Sequence, residues 1–145
     1  MRYLLDTNSL SYFFRGEGRI AERLQALTPS DIGIPSPVLY ESRHGILRLG
    51  SGARKTALLA ALDHAIDTMD VVAFDSVAAE AAARIRAQLE RVGLIIGPID
   101  VQIAGIAVAT ASTLVTRNVR KFSRVEGLNV ENWYEGRPSV DPSEG

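Results

Sequence analysis

Cysteine is absent from this chain of 145 residues, and so is any marked excess of charge of one sign. Without thiols the protein has no disulfide bonds and no thiolate metal ligands. That absence is compatible with a reducing cytoplasm, which is the location we expect. The formal net charge of -1 does not by itself indicate a nucleic-acid partner, because proteins that bind phosphates are often basic. A local basic patch can nevertheless lie beside a cluster of acids.

The N-terminus lacks the apolar run and the cleavage site of a signal peptide. One stretch, 92–115, is almost entirely apolar, but glycines and Pro98 interrupt it and Asp100 lies in its middle. A carboxylate at the centre of a bilayer costs about 2.5–3.5 kcal/mol on insertion scales. We therefore predict a buried helix followed by a strand in this stretch, and no membrane segment.

Short apolar segments alternate with helical patterns along the chain. Strands are predicted at 2–7, 31–34, 69–74 and 112–116, with a fifth at 128–130. Helices are predicted at 10–15, 37–49, 54–66, 76–92 and 99–110, and a shorter one contains Ile20, Leu24 and Leu27. This alternation predicts an α/β fold with a parallel sheet between helices on both faces. We expect one domain over 1–134 and a disordered tail over 135–145.

Two acidic residues follow the first two predicted strands. Asp6 ends the first strand and precedes Thr7 and Asn8, which gives three oxygen-bearing side chains in a row. Glu41 lies in the helix 37–49, one turn before Gly45, whose small size leaves room for a ligand beside the acid. Each residue also has a simpler explanation, since Asp6 can cap the next helix and Glu41 can be a solvated surface charge.

Two further oxygen donors lie near the later strands. Asp100 is the only charged residue between Arg91 and Arg117, and it begins an apolar helix whose dipole would also favour an acid there. Asn118 follows the fourth predicted strand. Ligand sites of parallel sheets lie outside the carboxyl ends of the strands. We therefore expect these residues to approach Asp6 and Glu41 at that edge.

Together the acidic side chains predict a divalent metal site. Crowded carboxylates repel one another, and a divalent cation relieves the repulsion. Oxygen ligands without His or Cys favour Mg²⁺ or Mn²⁺ over zinc. Such an ion polarises a phosphodiester, lowers the pKa of a bound water and stabilises the leaving oxygen. The pattern therefore predicts a site that suits phosphoryl transfer.

The same residues lie in segments that resemble the motifs of PIN-domain ribonucleases, and of the VapC toxins of bacterial toxin–antitoxin pairs in particular. The segments are 4–8, 37–41 with Gly45, 95–104 and 113–133. The resemblance implies a three-layer α/β/α sandwich and metal-dependent endonucleolytic cleavage of RNA, often a transfer RNA. It further implies a homodimer and a small VapB-like antitoxin that inserts a segment into the active-site groove.

Carried over residue by residue, the resemblance makes Asp6, Glu41 and Asp100 catalytic metal ligands. Asn118 stands at a fourth catalytic position, where many PIN domains have Asp. Because a neutral amide is a weaker ligand than a carboxylate, one-metal and two-metal chemistry both stay open. We expect Asn118 to orient water or a weakly held ion. The other two residues expected to orient water or ligand are Thr7 and Asn8.

Four basic residues follow the fourth predicted strand directly, beside the expected site: Arg117, Arg120, Lys121 and Arg124. Charge runs are usually solvated surface, but guanidinium groups can grip phosphates with two hydrogen bonds. Their position beside the acids favours a role in RNA binding. Base preference is not readable from them, since phosphate contacts carry no sequence information.

Two other functions stay open. A phosphoacceptor receiver domain is also α/β with an aspartate at a strand end. It would have an acidic pair after the first strand and a lysine after a late strand, where this chain has one Asp and Arg117. A PIN-like scaffold that binds RNA without cleaving it is favoured by the neutral Asn118. The presence of all three carboxylates argues against such a scaffold, because an unpaired acidic cluster lowers the stability of the folded protein.

Overall fold

A computed structural model describes residues 2–135 and has a five-stranded sheet with helices around it. The strands are β1 (Tyr3–Leu5), β2 (Ile32–Pro35), β3 (Asp70–Val72), β4 (Thr113–Val115) and β5 (Asn129–Glu131), and all pairings are parallel. The helices are α1 (Thr7–Arg15), α2 (Ile20–Gln25), α3 (Ser36–Leu47), α4 (Ala53–Thr68), α5 (Ser76–Arg91), α6 (Pro98–Ala109) and α7 (Val119–Phe122). The predicted α/β/α class is confirmed. Apart from Glu135, the predicted disordered tail lies outside the described residues.

The central strands supply the middle of the core. Leu4 and Leu5 of β1 and Leu114 and Val115 of β4 have no exposed surface. Strands of a parallel sheet are covered on both faces, which explains why their sequences are continuously apolar rather than alternating. Helix α6 is buried on nearly every side, as its sequence predicts. Among residues 2–135 no helix is long and apolar enough to span a bilayer.

The strand order is β3-β2-β1-β4-β5, so the chain starts in the middle of the sheet and builds outward in both directions. Strand order reverses at β1, which has β2 on one side and β4 on the other. Ligand sites of open α/β sheets lie at such a switch point, outside the carboxyl ends of the strands. A receiver domain would place its third strand beside the first, with the order 2-1-3-4-5. This topology therefore excludes the receiver interpretation.

The helix starts differ in part from the prediction. The cap of α1 is Asp6, whose Oδ1 accepts a hydrogen bond of 2.8 Å from Ser9 N, which confirms the simpler interpretation of this residue. The helix begins at Thr7, three residues earlier than predicted, so Asn8 and Ser9 lie inside its first turn. Helix α3 begins at Ser36, one residue before the predicted start, and the Oγ of Ser36 accepts a hydrogen bond from Phe74 N at 3.0 Å.

Candidate active site

Asp6 lies at the carboxyl end of β1, where the chain turns into α1. Its backbone N donates to the carbonyl of Val115 at 3.1 Å, which ties the turn to β4. The residue is only 7% exposed. Burial raises the pKa of Asp6 above its ordinary value of 3.8, hydrogen bonds from Thr116 and Ser9 lower it, and the charge of Asp100 raises it. Asp6 is therefore a buried acid with a second acid close enough to affect its ionisation.

Asp100 reaches the same edge from the first turn of α6. Its Oδ2 accepts a hydrogen bond of 2.7 Å from Lys121 Nζ, and both side chains are half-buried. Pro98 in the first turn of α6 and the buried residues behind Asp100 fix where the helix begins. Its charge is close enough to Asp6 to raise the pKa of that carboxyl, although less than burial does.

Glu41 approaches from α3, on the other side of the turn after β1. Thr7 Oγ1 donates a short hydrogen bond to its Oε1. The two residues line a cavity of about 240 Å³ between α1, α3 and α4. Asn8 and Gly45 also line it, and Arg54 is among the other lining residues. The space that the sequence predicted beside Gly45 is therefore present, next to Glu41.

Asn118 follows β4 and caps α7. Its Oδ1 accepts from Lys121 N at 3.1 Å, and its own backbone N donates to Thr116 Oγ1 at 3.0 Å. Thr116 is fully buried and also hydrogen bonds to Asp6. A continuous set of hydrogen bonds therefore links the fourth predicted catalytic position to the first.

The donors at this edge fit a hard divalent cation, because they are carboxylate, amide and hydroxyl oxygens. Within residues 2–135, however, no three side chains of His, Cys, Asp or Glu form a group that could hold one ion. Glu41 is held by Thr7, and Asp100 is held by Lys121. The structure brings together Asp6 and Asp100, and coordination of one ion by all three acids stays a prediction.

The predicted RNA-binding residues differ in what surrounds them. Arg117 lies 3.7 Å from the centre of the Tyr134 ring and 3.4 Å from Glu135, so it holds the end of the described chain. Lys121 contacts Asp100. Arg120 is exposed, and Arg124 is half-buried on the turn after α7. RNA binding by these four residues stays a prediction.

Sequence reasoning missed three contributors to the site. Thr116 and Ser9 donate hydrogen bonds to Asp6, and Lys121 pairs with Asp100. The signal for Thr116 was available, since a hydroxyl residue at the end of β4 lies at the same edge as Asp6. The pairing of Lys121 had no local signal, because its partner is 21 positions away in the sequence.

Comparison with known proteins supports the resemblance seen in the motifs. Residues 3–128 match the family model of the PIN domain. The tRNA(fMet)-specific endonuclease VapC of Shigella flexneri is 32% identical, and Ribonuclease VapC2 of Rickettsia felis is 33% identical. Each alignment covers 92% of this chain and 98% of the relative.

Solved structures agree with the sequence relatives. VapBC2 from Rickettsia felis, bound to a promoter DNA fragment, superposes with a TM-score of 0.81 at 32% identity, covering 92% of this chain and 99% of that one. FitAcB from Neisseria gonorrhoeae gives a TM-score of 0.83 at 27% identity, with 92% and 99% covered. The matched residues include β1, α6 and β4, which carry the candidate active site. By its sequence, its relatives and its fold, this chain belongs to the PIN domain family.

Proposed function

We propose that this chain is an endoribonuclease that hydrolyses phosphodiester bonds of RNA with Mg²⁺ or Mn²⁺ at the candidate active site. The observation that carries the proposal is the buried Asp6 beside Asp100 at the switch point of the sheet. PIN-domain nucleases generally depend on a divalent metal. Relatives named as a ribonuclease and as a tRNA-specific endonuclease support RNA as the substrate. We propose the cytoplasm, where RNA is present, as the place of action.

Each side chain of the candidate active site has its own role in this proposal. Asp6 and Asp100 would hold the ion, and Glu41, which accepts a hydrogen bond from Thr7, would be the third carboxylate ligand. The ion, when bound, polarises the scissile phosphodiester and lowers the pKa of a bound water. Ser9 N keeps Asp6 in place throughout, because the same hydrogen bond caps α1. The burial that raises the pKa of Asp6 also strengthens its attraction for a cation.

RNA would approach this edge over basic side chains. Arg120 is exposed beside the site on α7, and Arg124 follows on the next turn. Arg15 and Arg54 line the cavity next to Glu41. We propose that these groups bind backbone phosphates, so they would contribute affinity without base preference. Asn118 and Asn8 would orient water or a neighbouring phosphate.

We also propose that the activity is restrained by a small antitoxin of the VapB type. Solved relatives include VapBC complexes from Rickettsia felis and Salmonella typhimurium, both with DNA bound. The cavity beside Glu41 has apolar walls that include Phe14, Ile46 and Leu58, which suits an inserted protein segment. The homodimer was predicted from the resemblance alone and stays a prediction, which light scattering after size exclusion would test.

The decisive assay uses the chain purified free of any partner protein. A panel of transfer RNAs and single-stranded RNAs is incubated with Mg²⁺, with Mn²⁺ or with a chelator, and the 5′ ends of the products are mapped. We expect cleavage at defined positions with either metal and none with chelator. Asp6→Asn should abolish cleavage while it keeps the helix cap. Asp75→Asn is the matched control, because Asp75 caps α5 in the same way, with 2.9 Å to Ala78 N, and is exposed.

The outcomes separate the remaining alternatives. Cleavage that persists in chelator, or in Asp6→Asn, would contradict the metal mechanism. RNA binding without cleavage under every metal condition would favour the non-catalytic scaffold. Equal loss of activity in Asp6→Asn and Asp75→Asn would indicate an effect on folding and not on chemistry.

A further inference from the structure

Lys121 places a positive charge directly beside Asp100 at the candidate active site. Its Nζ lies 2.7 Å from Asp100 Oδ2, and the two side chains are 30% and 28% exposed. The same Nζ lies 5.2 Å from the centre of the Phe122 ring, and Phe122 is 1% exposed. The ammonium is thus held by a carboxylate and an aromatic ring in a partly desolvated position, where an ion pair is screened less than at the open surface.

The backbone that carries Lys121 is fixed to the site. Asn118 Oδ1 accepts from Lys121 N at 3.1 Å, and Asn118 N donates to Thr116 Oγ1 at 3.0 Å. Thr116 in turn hydrogen bonds to Asp6. The contact between Lys121 and Asp100 is therefore built on the same hydrogen bonds that position Asp6, and is unlike a chance pair of long surface side chains.

We infer that Lys121 is a counter-cation of the acidic cluster that competes with a divalent ion for Asp100 and so sets how tightly the site holds metal. Both cations use the lone pairs of the same carboxylate, so contact with one weakens contact with the other. The inference rests on the proposed function, since it takes Asp100 as a metal ligand. It also gives Lys121 a role distinct from the phosphate contact predicted for it.

The size of the effect follows from simple electrostatics. When a divalent ion binds, the ammonium must move away from Asp100 or tolerate a repelling double charge. A single and a double charge about 6 Å apart, in a medium close to water, interact strongly enough to change a dissociation constant by about tenfold. Lys121→Met keeps most of the length of the side chain and removes its charge. We therefore expect this variant to bind divalent ions about tenfold more tightly.

The first measurement is Mn²⁺ binding to the full chain in the absence of RNA, by calorimetry or by electron paramagnetic resonance of free Mn²⁺. Four proteins are compared: wild type, Lys121→Met, Arg120→Met and Asp6→Asn. Arg120 is the matched control, because it precedes Lys121 on α7 but is exposed, so its charge is screened by solvent. We expect Arg120→Met to change the dissociation constant less than twofold and Asp6→Asn to lose binding.

The second measurement needs no metal. Melting temperatures are compared in chelator for wild type, Lys121→Met, Asp100→Asn and the double variant. If Lys121 neutralises Asp100, Lys121→Met lowers the melting temperature by roughly 2–4 °C. The same substitution then has almost no effect in the Asp100→Asn background, because double-mutant cycles isolate the pairwise interaction.

The outcomes distinguish failure of this inference from failure of the proposed function. Equal Mn²⁺ affinity of wild type and Lys121→Met, with binding lost in Asp6→Asn, would overturn the inference and leave the metal site intact. Absence of Mn²⁺ binding in every protein would overturn both. Additive melting temperatures in the cycle would show that Lys121 and Asp100 do not interact, and would overturn the inference whatever the metal data show.

Discussion

Gly105 gives the sharpest test of how the helices position the active site. It lies in α6, which carries Asp100, and it faces α5. A Cβ atom at this position would lie 2.7 Å from the carbonyl oxygen of Ala78 and 2.7 Å from Cβ of Ala82. Ordinary van der Waals contact begins at 3.4 Å. The first atom belongs to the backbone and the second to an alanine side chain, which cannot rotate away. The two helices would therefore have to separate.

The expected cost of Gly105→Ala is the balance of two effects. Overpacking of a close helix contact costs about 1–3 kcal/mol. Replacement of glycine by alanine within a helix stabilises the folded protein by about 1 kcal/mol, because alanine gives the unfolded chain less conformational entropy than glycine does. We therefore expect Gly105→Ala to lower the free energy of unfolding by up to about 2 kcal/mol.

Gly45→Ala is the matched control, since Gly45 is also helical but a Cβ there meets nothing within 4 Å. This variant should gain up to about 1 kcal/mol. Both are measured by urea unfolding followed by circular dichroism. Displacement of α6 should also weaken Mn²⁺ binding by Gly105→Ala relative to wild type. Equal stabilisation by the two substitutions would refute the close packing of α5 on α6.

Three further predictions test the rest of the site. Asp6→Asn should raise the melting temperature in chelator at neutral pH, because burial raises the pKa of Asp6 and the ionised carboxylate therefore costs stability in the folded protein. The gain should disappear as the pH falls below the ordinary value of 3.8, where the carboxyl is protonated in the folded and the unfolded protein alike. Asn118→Ala removes the cap of α7 and should lower the free energy of thermal unfolding by about 1 kcal/mol. Asn118→Asp keeps the cap and should bind Mn²⁺ more tightly than wild type. Gly18→Ala should unfold at a lower urea concentration than Gly16→Ala: both have positive φ, but only at Gly18 would a Cβ meet Tyr134, at 2.8 Å.

Each of these three predictions has an outcome that contradicts it. A melting temperature of Asp6→Asn equal to that of wild type at every pH would show that the buried charge costs nothing. Unchanged Mn²⁺ affinity in Asn118→Asp would indicate that this position does not face the ion. Equal stability of the two glycine variants would mean that Tyr134 does not pack against Gly18.

The helix starts show where local reasoning was limited. Helix α5 begins at residue 76 as predicted, and Asp75 caps it, with Ala78 N at 2.9 Å from its Oδ1. The start of α1 was predicted three residues too late, because strand β1 already ends at Leu5 and the helix starts directly after its cap, Asp6. A cap is set by the position where the backbone changes direction, and a difference of two or three residues in that position changes which side chain serves.

The contacts of the acids show a second limit. Asp6, Asp100 and Asn118 lie at the edge that the strand pattern predicts. Their partners do not follow from that pattern: Thr7 binds Glu41 across 34 positions, and Lys121 binds Asp100 across 21. Such pairs depend on how the helices pack over the sheet. This packing cannot be predicted from the sequence of one segment at a time.

The amino-acid sequence by itself determined the α/β class and the edge at which the acids lie, because both depend on local periodicity and on the direction of parallel strands. Only the tertiary structure decided the strand order, the burial of Asp6 and the partners of Glu41 and Asp100. The physical reason is range: a strand or helix forms from interactions over a few residues, whereas the charge and hydrogen bonds around a carboxylate come from segments that meet only when the chain is folded.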